Sequence, residues 1–440
     1  MKKFLSGAFG KFILSVGIAA LLFFICPSCF NKTTLGIILG LLLIIINFSK
    51  FFSKYPWITH ISRVLVGGLF IFSGFIKSND PLGFSYKLEE YFEVFKADTG
   101  LSFFELFAHA SLPLAITICV SEVALGFLLL IGSFRNITLY LLLAQIVFFT
   151  FLTFYSACYN KVTHCGCFGD FIQLTPWESF WKDIYLLVLI TILLVGRENI
   201  HPIFKPSISN GLALLAILTS VWFPIHTFRN LPVFDFRAYA PGLSICEGMK
   251  PGKNFKPAVI KTMFQYKNKK SGELKAFDGN NLPWQDTLTW EYHDRLPDEI
   301  VSPMQDGPKI TDFSISDLEG NSITDSILKI KDYHFIVVAY DLKKTETSSQ
   351  LHAKINDFYE LSLKNNILLL ALTSSNSEQI SNFKRRNKAN YKFATSDGIV
   401  LKTMIRSNPG LILIKDCKVI ANWHYNNWPS FTEVKNNYLK

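Results

Sequence analysis

Arg63-Val64-Leu65-Val66-Gly67-Gly68-Leu69-Phe70-Ile71-Phe72-Ser73-Gly74-Phe75-Ile76-Lys77 is an apolar run closed by a cation. With flanking residues recruited, such a run can cross the roughly 30 Å hydrocarbon layer of a bilayer. Its small residues, Gly67, Gly68, Ser73 and Gly74, permit close helix packing. Lys77 and Asp80 mark the outer end of the span, and Pro81 starts a turn. The stretch therefore predicts one helix of a membrane α-helical bundle.

Outward from it, further apolar runs occupy Phe12 to Ile25, Leu35 to Phe48, Leu112 to Ile131, Ile137 to Tyr155, Ile184 to Val195 and Leu212 to Ile225. Together they predict about seven spans. The segment that follows Pro81, to about His109, mixes aromatic, acidic and basic residues and is expected to lie along the membrane interface as one or two amphipathic helices. Charged residues are sparse before about residue 230 and crowd afterwards, so a membrane half precedes a soluble half. The chain has 440 residues, 50% of them hydrophobic, with a net charge of +10. No Lys/Arg stripe accompanies that charge, which argues against nucleic acid as a partner and leaves the lipid bilayer. Lysines and arginines are more frequent on the side that holds the N-terminus. This places the N-terminus in the cytoplasm and, after seven spans, the C-terminal half in the periplasm of an inner-membrane, multi-pass protein. Met1-Lys2-Lys3 before an apolar run also fits a cleaved signal peptide, although a second apolar run follows at once.

Two thiol pairs would then face the oxidising side. Cys165-Gly166-Cys167-Phe168-Gly169 lies in a polar loop, and its central glycine permits the turn that a small disulfide ring demands. Redox exchange, a loop staple, or a metal site with His164 are the three readings of that loop. Cys26-Pro27-Ser28-Cys29 has the spacing of thiol oxidoreductases, yet Cys26 ends a span and meets the negative pole of its dipole. It reads as a tie between span ends or as a second, relaying pair. Cys119 lies inside a span, as a small buried hydrophobe. Glu122 also stands inside a span, where a carboxylate must face the bundle. A hydrogen bond to Gln145 or to a residue near Lys77, or a role in proton or quinone chemistry, would account for it. With one acid deep in a span and no broken-helix repeat, a transporter has little support.

The arginine-glycine-glycine run, Phe72-Ser73-Gly74-Phe75-Ile76-Lys77 with Asp80-Pro81-Leu82-Gly83, Glu122 with Gly126, and the Cys165–Gly169 loop together resemble the DoxX/MauE membrane family. The likeness covers about Trp57 to Gly196, a four-helix module. It implies redox work at the outer membrane face: quinone-linked sulfur oxidation for DoxX-type proteins, maturation of a disulfide-rich periplasmic enzyme for MauE-type proteins. Quinone is the one cofactor it suggests, and an envelope protein the client. Cys165, Cys167 and Glu122 become the expected catalytic residues.

The expected division is 1–56 for two helices, 57–198 for the module, 199–230 for the last span, 231–305 for a linker or small β subdomain, and 306–440 for a soluble domain. Within the last segment, a hairpin over Asp312 to Gly320 should precede a buried strand Tyr333 to Tyr340. A helix Ser348 to Lys364, a strand Ile367 to Thr373, a helix Ser377 to Asn387, and strands Gly410 to Ile414 and Lys418 to Trp423 should follow. This order resembles the thioredoxin-like fold of membrane-tethered reductases, with Asn408-Pro409-Gly410 at the family's cis-proline position. Where that family carries Cys-x-x-Cys, this chain has Asp341-Leu342-Lys343-Lys344-Thr345. A binding module is therefore expected there, because exchange needs a thiolate. Cys246 is expected either to meet the thiol loop or to be free, and Cys417 to have no catalytic part. The rival reading of the whole chain is a non-catalytic membrane scaffold whose soluble domain docks a partner.

Overall fold

A computed structural model describes residues 49–159, 161–162, 166, 168–172, 174–296, 299–302 and 306–439, with isolated helical positions at 36, 40 and 42. The first two expected spans, the Cys26/Cys29 pair and the side chains of His164, Cys165 and Cys167 lie outside these residues. The chain divides into two compact units, Met1–Phe236 and Arg237–Lys440.

The first unit is helical. Its principal helices are α1 (Pro56–Asn79), α2 (Pro81–Thr99), α3 (Phe103–His109), α4 (Ser111–Ile131), α5 (Arg135–Tyr159), α6 (Pro176–Val195) and α7 (Pro206–Arg229). Among the described residues, four of these, α1, α4, α5 and α7, are long and apolar enough to cross a membrane. The sixth expected span falls in α6, whose first turns carry Glu178, Lys182 and Asp183, so that the helix is uniformly apolar only from Ile184 onward. Leu214, Leu218 and Trp222 of α7 point outward, as a lipid-facing surface requires. The segment expected at the membrane interface forms two helices, α2 and α3; Asp80 caps α2 by accepting from the Gly83 amide at 2.9 Å.

Close approach of α1 to α4 is set by glycine. A β-carbon on Gly74 would stand 2.7 Å from Glu122 Cβ, and one on Gly126 would stand 2.8 Å from the Gly67 carbonyl oxygen. Any larger residue would push the helices apart. At one end of this contact the buried Arg63 donates from Nε to the Leu129 carbonyl at 2.8 Å and from Nη2 to the Leu130 carbonyl at 2.5 Å. These carbonyls belong to the last turn of α4, which Gly132 ends in a left-handed conformation. At the other end, Thr227 donates to the Ser78 carbonyl at 2.6 Å. The Asn79 amide exchanges two bonds with the backbone of Phe234, at 2.7 and 3.0 Å.

The second unit carries three sheets. Strands β1 (Val259–Lys261) and β5 (Glu299–Ser302) form an antiparallel pair; β2 (Met263–Asn268) pairs with β3 (Leu274–Asp278) and β4 (Trp290–Arg295). The main sheet has the order β10-β9-β6-β7-β8, built from β6 (His334–Val338), β7 (Leu368–Thr373), β8 (Lys392–Thr395), β9 (Gly410–Lys415) and β10 (Lys418–His424). β6, β7 and β8 are parallel, and β9 runs antiparallel beside β6. Helices α8 (Ser349–Lys364), α9 (Ser377–Asn387), α10 (Gly398–Met404) and α11 (Phe431–Asn437) complete the unit. Parallel β6 and β7 joined by α8, followed by the antiparallel β9-β10 hairpin, give a thioredoxin-like architecture. The expected hairpin over residues 312–320 is shifted: Ile315 and Ser316 face Ser322 and Ile323 across a turn at Asp317–Asn321, and Ser316 also bridges Thr395, which sews the segment onto the edge strand β8. β8 and α10 were not expected, because the strand is short and its flanks are polar.

Cys246 and Cys417 form a disulfide. Neither expectation for Cys246 holds, since its partner is the residue in the β9-β10 turn. A bridge 171 residues apart in sequence removes a large loop from the unfolded chain, a contribution of about 2–5 kcal/mol. Replacing both cysteines by serine should lower the unfolding temperature of the soluble unit by several degrees; calorimetry of the full chain in detergent, with and without reductant, checks this. His424 supplies a second test. It is buried, its Nδ1 accepts from the Asn426 amide at 3.2 Å, and burial pushes its pKa down to about 4. The neutral ring is therefore favoured in the fold, so the contribution is fully present above pH ~6.5 and is lost as pH falls towards 4. Burial lowers His334 and His352 in the same sense. A His424→Gln variant should flatten the fall in unfolding temperature between about pH 6.5 and 4 that the parent shows.

Candidate functional site

The glycine contact between α1 and α4 brings the last turn of α1 beside Glu122. Lys77 Nζ lies 2.6 Å from Glu122 Oε1, with each side chain only 2% exposed. Lys77 also donates to Ser73 Oγ at 3.0 Å and stands over the rings of Phe149 and Phe84 at 4.5 and 5.2 Å. Four favourable partners offset the large cost of holding an ammonium away from water. Glu122 is less well served, because its Oε2 has no hydrogen-bond partner. Gln145, one of the partners expected for Glu122, instead donates to Ser121 Oγ at 3.2 Å.

A narrow cleft opens beside this pair. Its polar lining is Ser73, Lys77, Glu122, Lys182 and Asp183, and its apolar lining includes Phe149 and Phe168. Asp183 is fully buried; Thr153 of α5 donates to its Oδ2 at 3.0 Å. Lys182 Nζ lies 2.8 Å from Asp183 Oδ1, off the line that a hydrogen bond needs, so this contact is purely ionic. A second deep acid is thus present, contrary to the expectation that Glu122 stands alone. Lys182 and Asp183 stand at the polar edge of the short apolar run Ile184 to Val195, where burial has no local signal.

The thiol loop meets this cleft through Phe168. That ring packs 5.6 Å from Phe72 of α1 and carries the Lys182 ammonium 5.4 Å above it. Gly166 adopts a φ of 63°, and a β-carbon there would approach the Lys87 side chain at 3.2 Å. The Gly169 amide closes back on the Gly166 carbonyl at 3.2 Å. The loop therefore makes the tight turn that its central glycine allows, while the two thiols themselves lie outside the described residues. Cys119 is buried among Phe92, Phe149 and Leu152 and is a packing residue.

The family of methylamine utilisation protein MauE matches residues 55–196. Residues 55–196 are a MauE-type membrane module. Within it lie the Arg63 clamp, both glycine contacts, Lys77, Glu122, Asp183 and the thiol loop. Residues 260–297, which hold β2, β3 and β4, match a domain family of unknown function. Protein TlpB of Flavobacterium psychrophilum is 29% identical over 153 residues, 33% of this chain; the chain spans 39% of that relative's length. A solution structure titled as a "putative protein disulfide isomerase" from Bacteroides thetaiotaomicron covers 28% of this chain and 82% of its own, at 16% identity and a TM-score of 0.24. The thioredoxin-like description rests on the strand order given above.

In that soluble unit, the segment after β6 has no thiol, and its backbone is closed. Thr345 donates to the Asp341 carbonyl at 2.7 Å and to Asn408 Oδ1 at 3.0 Å. Asn408 Nδ2 donates back to the Asp341 carbonyl at 3.0 Å, and the Glu346 amide donates to the Asn408 carbonyl at 2.9 Å. The Asn408–Pro409 peptide bond is cis.

Removing one member of the Lys77–Glu122 pair leaves a buried charge uncompensated, at about 3–5 kcal/mol. Lys77→Met and Glu122→Gln should each lower the thermal midpoint of the membrane module, while the double variant regains most of the loss. Thermal unfolding of the four proteins in one detergent checks this; additive losses would show that the two side chains are uncoupled.

Proposed function

We propose that the MauE-type module performs thiol–disulfide exchange at the outer face of the membrane, with Cys165 and Cys167 as the exchanging pair. One observation carries this reading: Phe168, which follows Cys167 directly, lines the same cleft as the buried Lys77–Glu122 pair. Exchange begins with a thiolate, so the attacking sulfur must shed a proton and the departing sulfur must receive one. Glu122, with one oxygen held by Lys77 and the other unpartnered, is the residue we assign to hold that proton. In atoms and electrons the step is an exchange: a thiolate of the pair attacks a client disulfide, one S–S bond forms as another breaks, and the second thiol resolves the mixed species. The client leaves reduced and the pair oxidised, or the reverse.

The soluble unit would grip an envelope client without sulfur chemistry of its own, since its cysteines are joined to each other and the segment after β6 has none. That joined pair also supports a periplasmic location for the unit, because such bonds persist in oxidising compartments. The N-terminus would then lie in the cytoplasm and the module in the inner membrane. In the reverse direction, where the client leaves oxidised and the pair reduced, quinone would accept the two electrons and two protons that restore the Cys165–Cys167 disulfide; no described residue is assigned to hold it. The second reading, a non-catalytic scaffold, draws on the closed backbone between Asp341 and Asn408 and leaves the thiol loop as a staple.

A Cys167→Ala variant should accumulate mixed disulfides with envelope proteins, visible as reductant-sensitive bands on non-reducing gels. A Cys165→Ala/Cys167→Ala variant should show none. If the Cys165–Cys167 bond in the parent resists strong reductant and no mixed species forms in the single variant, the staple is correct.

A further inference from the structure

Glu122 and Asp183 come from different helices, α4 and α6, yet both line one cleft, and neither is satisfied on its own element. Glu122 Oε2 is buried without a partner, and Asp183 Oδ1 has an ionic neighbour but no hydrogen bond. The space open to the centre of a water molecule in this cleft is ≈ 20 Å³, against roughly 10–15 Å³ that a single water needs. Two carboxylate oxygens and the Lys77 and Lys182 ammonium groups supply the two to four polar partners that hold a buried water. A larger ligand would have to part the helices.

We propose that Glu122 and Asp183 form a water-linked proton site, in which a proton taken up at the unpartnered Oε2 of Glu122 passes through an internal water towards Asp183 and Lys182, at the side of the cleft that Phe168 closes. The step moves one proton: an O–H bond to Glu122 breaks, one to water forms, and the water's other proton moves on to Asp183. No electron is transferred. Its use in exchanging protons with a thiol rests on the reading above; the site itself does not. Among the described residues, the charged, titratable and polar groups facing the two acids are Ser73 and Lys77 from α1, Cys119 from α4, Thr153 from α5 and Lys182 from α6. Lys87 of α2 lies in the neighbouring cleft, with Lys77 and Thr153 between.

Infrared spectroscopy of the full chain in lipid nanodiscs tests this. The carboxyl band of Glu122 is identified by its loss in Glu122→Gln, and its pH midpoint is then followed in two further variants. Asp183→Asn removes a negative neighbour and keeps the Thr153 bond, so the midpoint should fall by about one pH unit. Lys182→Met removes a positive neighbour, so it should rise by a similar amount. A change of packing alone has no reason to produce opposite signs. Midpoints unmoved in both variants, or moved in the same direction, would overturn the site, and Lys182→Met alone decides if Asp183→Asn does not fold. The Cys165→Ala/Cys167→Ala variant separates this from the exchange reading: it abolishes thiol exchange, whereas the midpoint and its response to Asp183→Asn should persist.

Discussion

The absence of a β-carbon at two places lets α1 and α4 touch backbone to backbone, and the chemistry of the membrane unit depends on that contact. With Gly67 facing Gly126 and Gly74 facing Glu122, the helices approach far enough for the Lys77 ammonium to reach the carboxylate. In a bilayer the apolar surfaces of two helices gain little from leaving lipid, so close packing and polar contacts decide which faces meet. The pair is thus both a product of the glycine contact and a reason for it to persist, because separating the helices would leave an ammonium and a carboxylate facing hydrocarbon.

The soluble unit follows another logic. Its main sheet is buried by ordinary apolar packing, with Phe335, Val337, Ala371, Leu411 and Leu413 among its core. The Cys246–Cys417 bridge ties the start of the unit to its final hairpin. Where a thiol reductase would present sulfur, Asp341, Thr345, Glu346 and Asn408 satisfy one another's backbone and side-chain groups.

Much of this arrangement was legible in the sequence, for physical reasons that differ between elements. Glu122 stood out because a charge in an apolar run is costly, and the glycines of α1 because small residues there permit close packing; Lys77 read only as the end of its span, and its burial against Glu122 follows from the packing of α1 on α4. The helices Ser349–Lys364 and Ser377–Asn387 and the β9-β10 hairpin followed from amphipathic period and turn residues. Asp183 was hidden because it adjoins Lys182 and Glu178 at a helix start, where polar residues usually mean solvent; only the packing of α5 against α6 reveals that it is buried. The Cys246–Cys417 pairing depends on two segments 171 residues apart meeting, which no local pattern encodes. Its one available signal was parity, since the soluble half holds two cysteines and no others. Of the seven expected spans, the first two lie outside the described residues; of the other five, four are long and apolar enough to cross a membrane, and α6 falls short because it spends its first turns on charged side chains.

Arg63 has a mechanical corollary. By gripping the Leu129 and Leu130 carbonyls it fixes the far end of the α1–α4 pair, while Lys77 and Glu122 fix the near end. Two anchors on one seam forbid both sliding and rotation, so α1 and α4 behave as a single strut. The loop carrying Phe168 joins α5 to α6 and so hangs outside that strut.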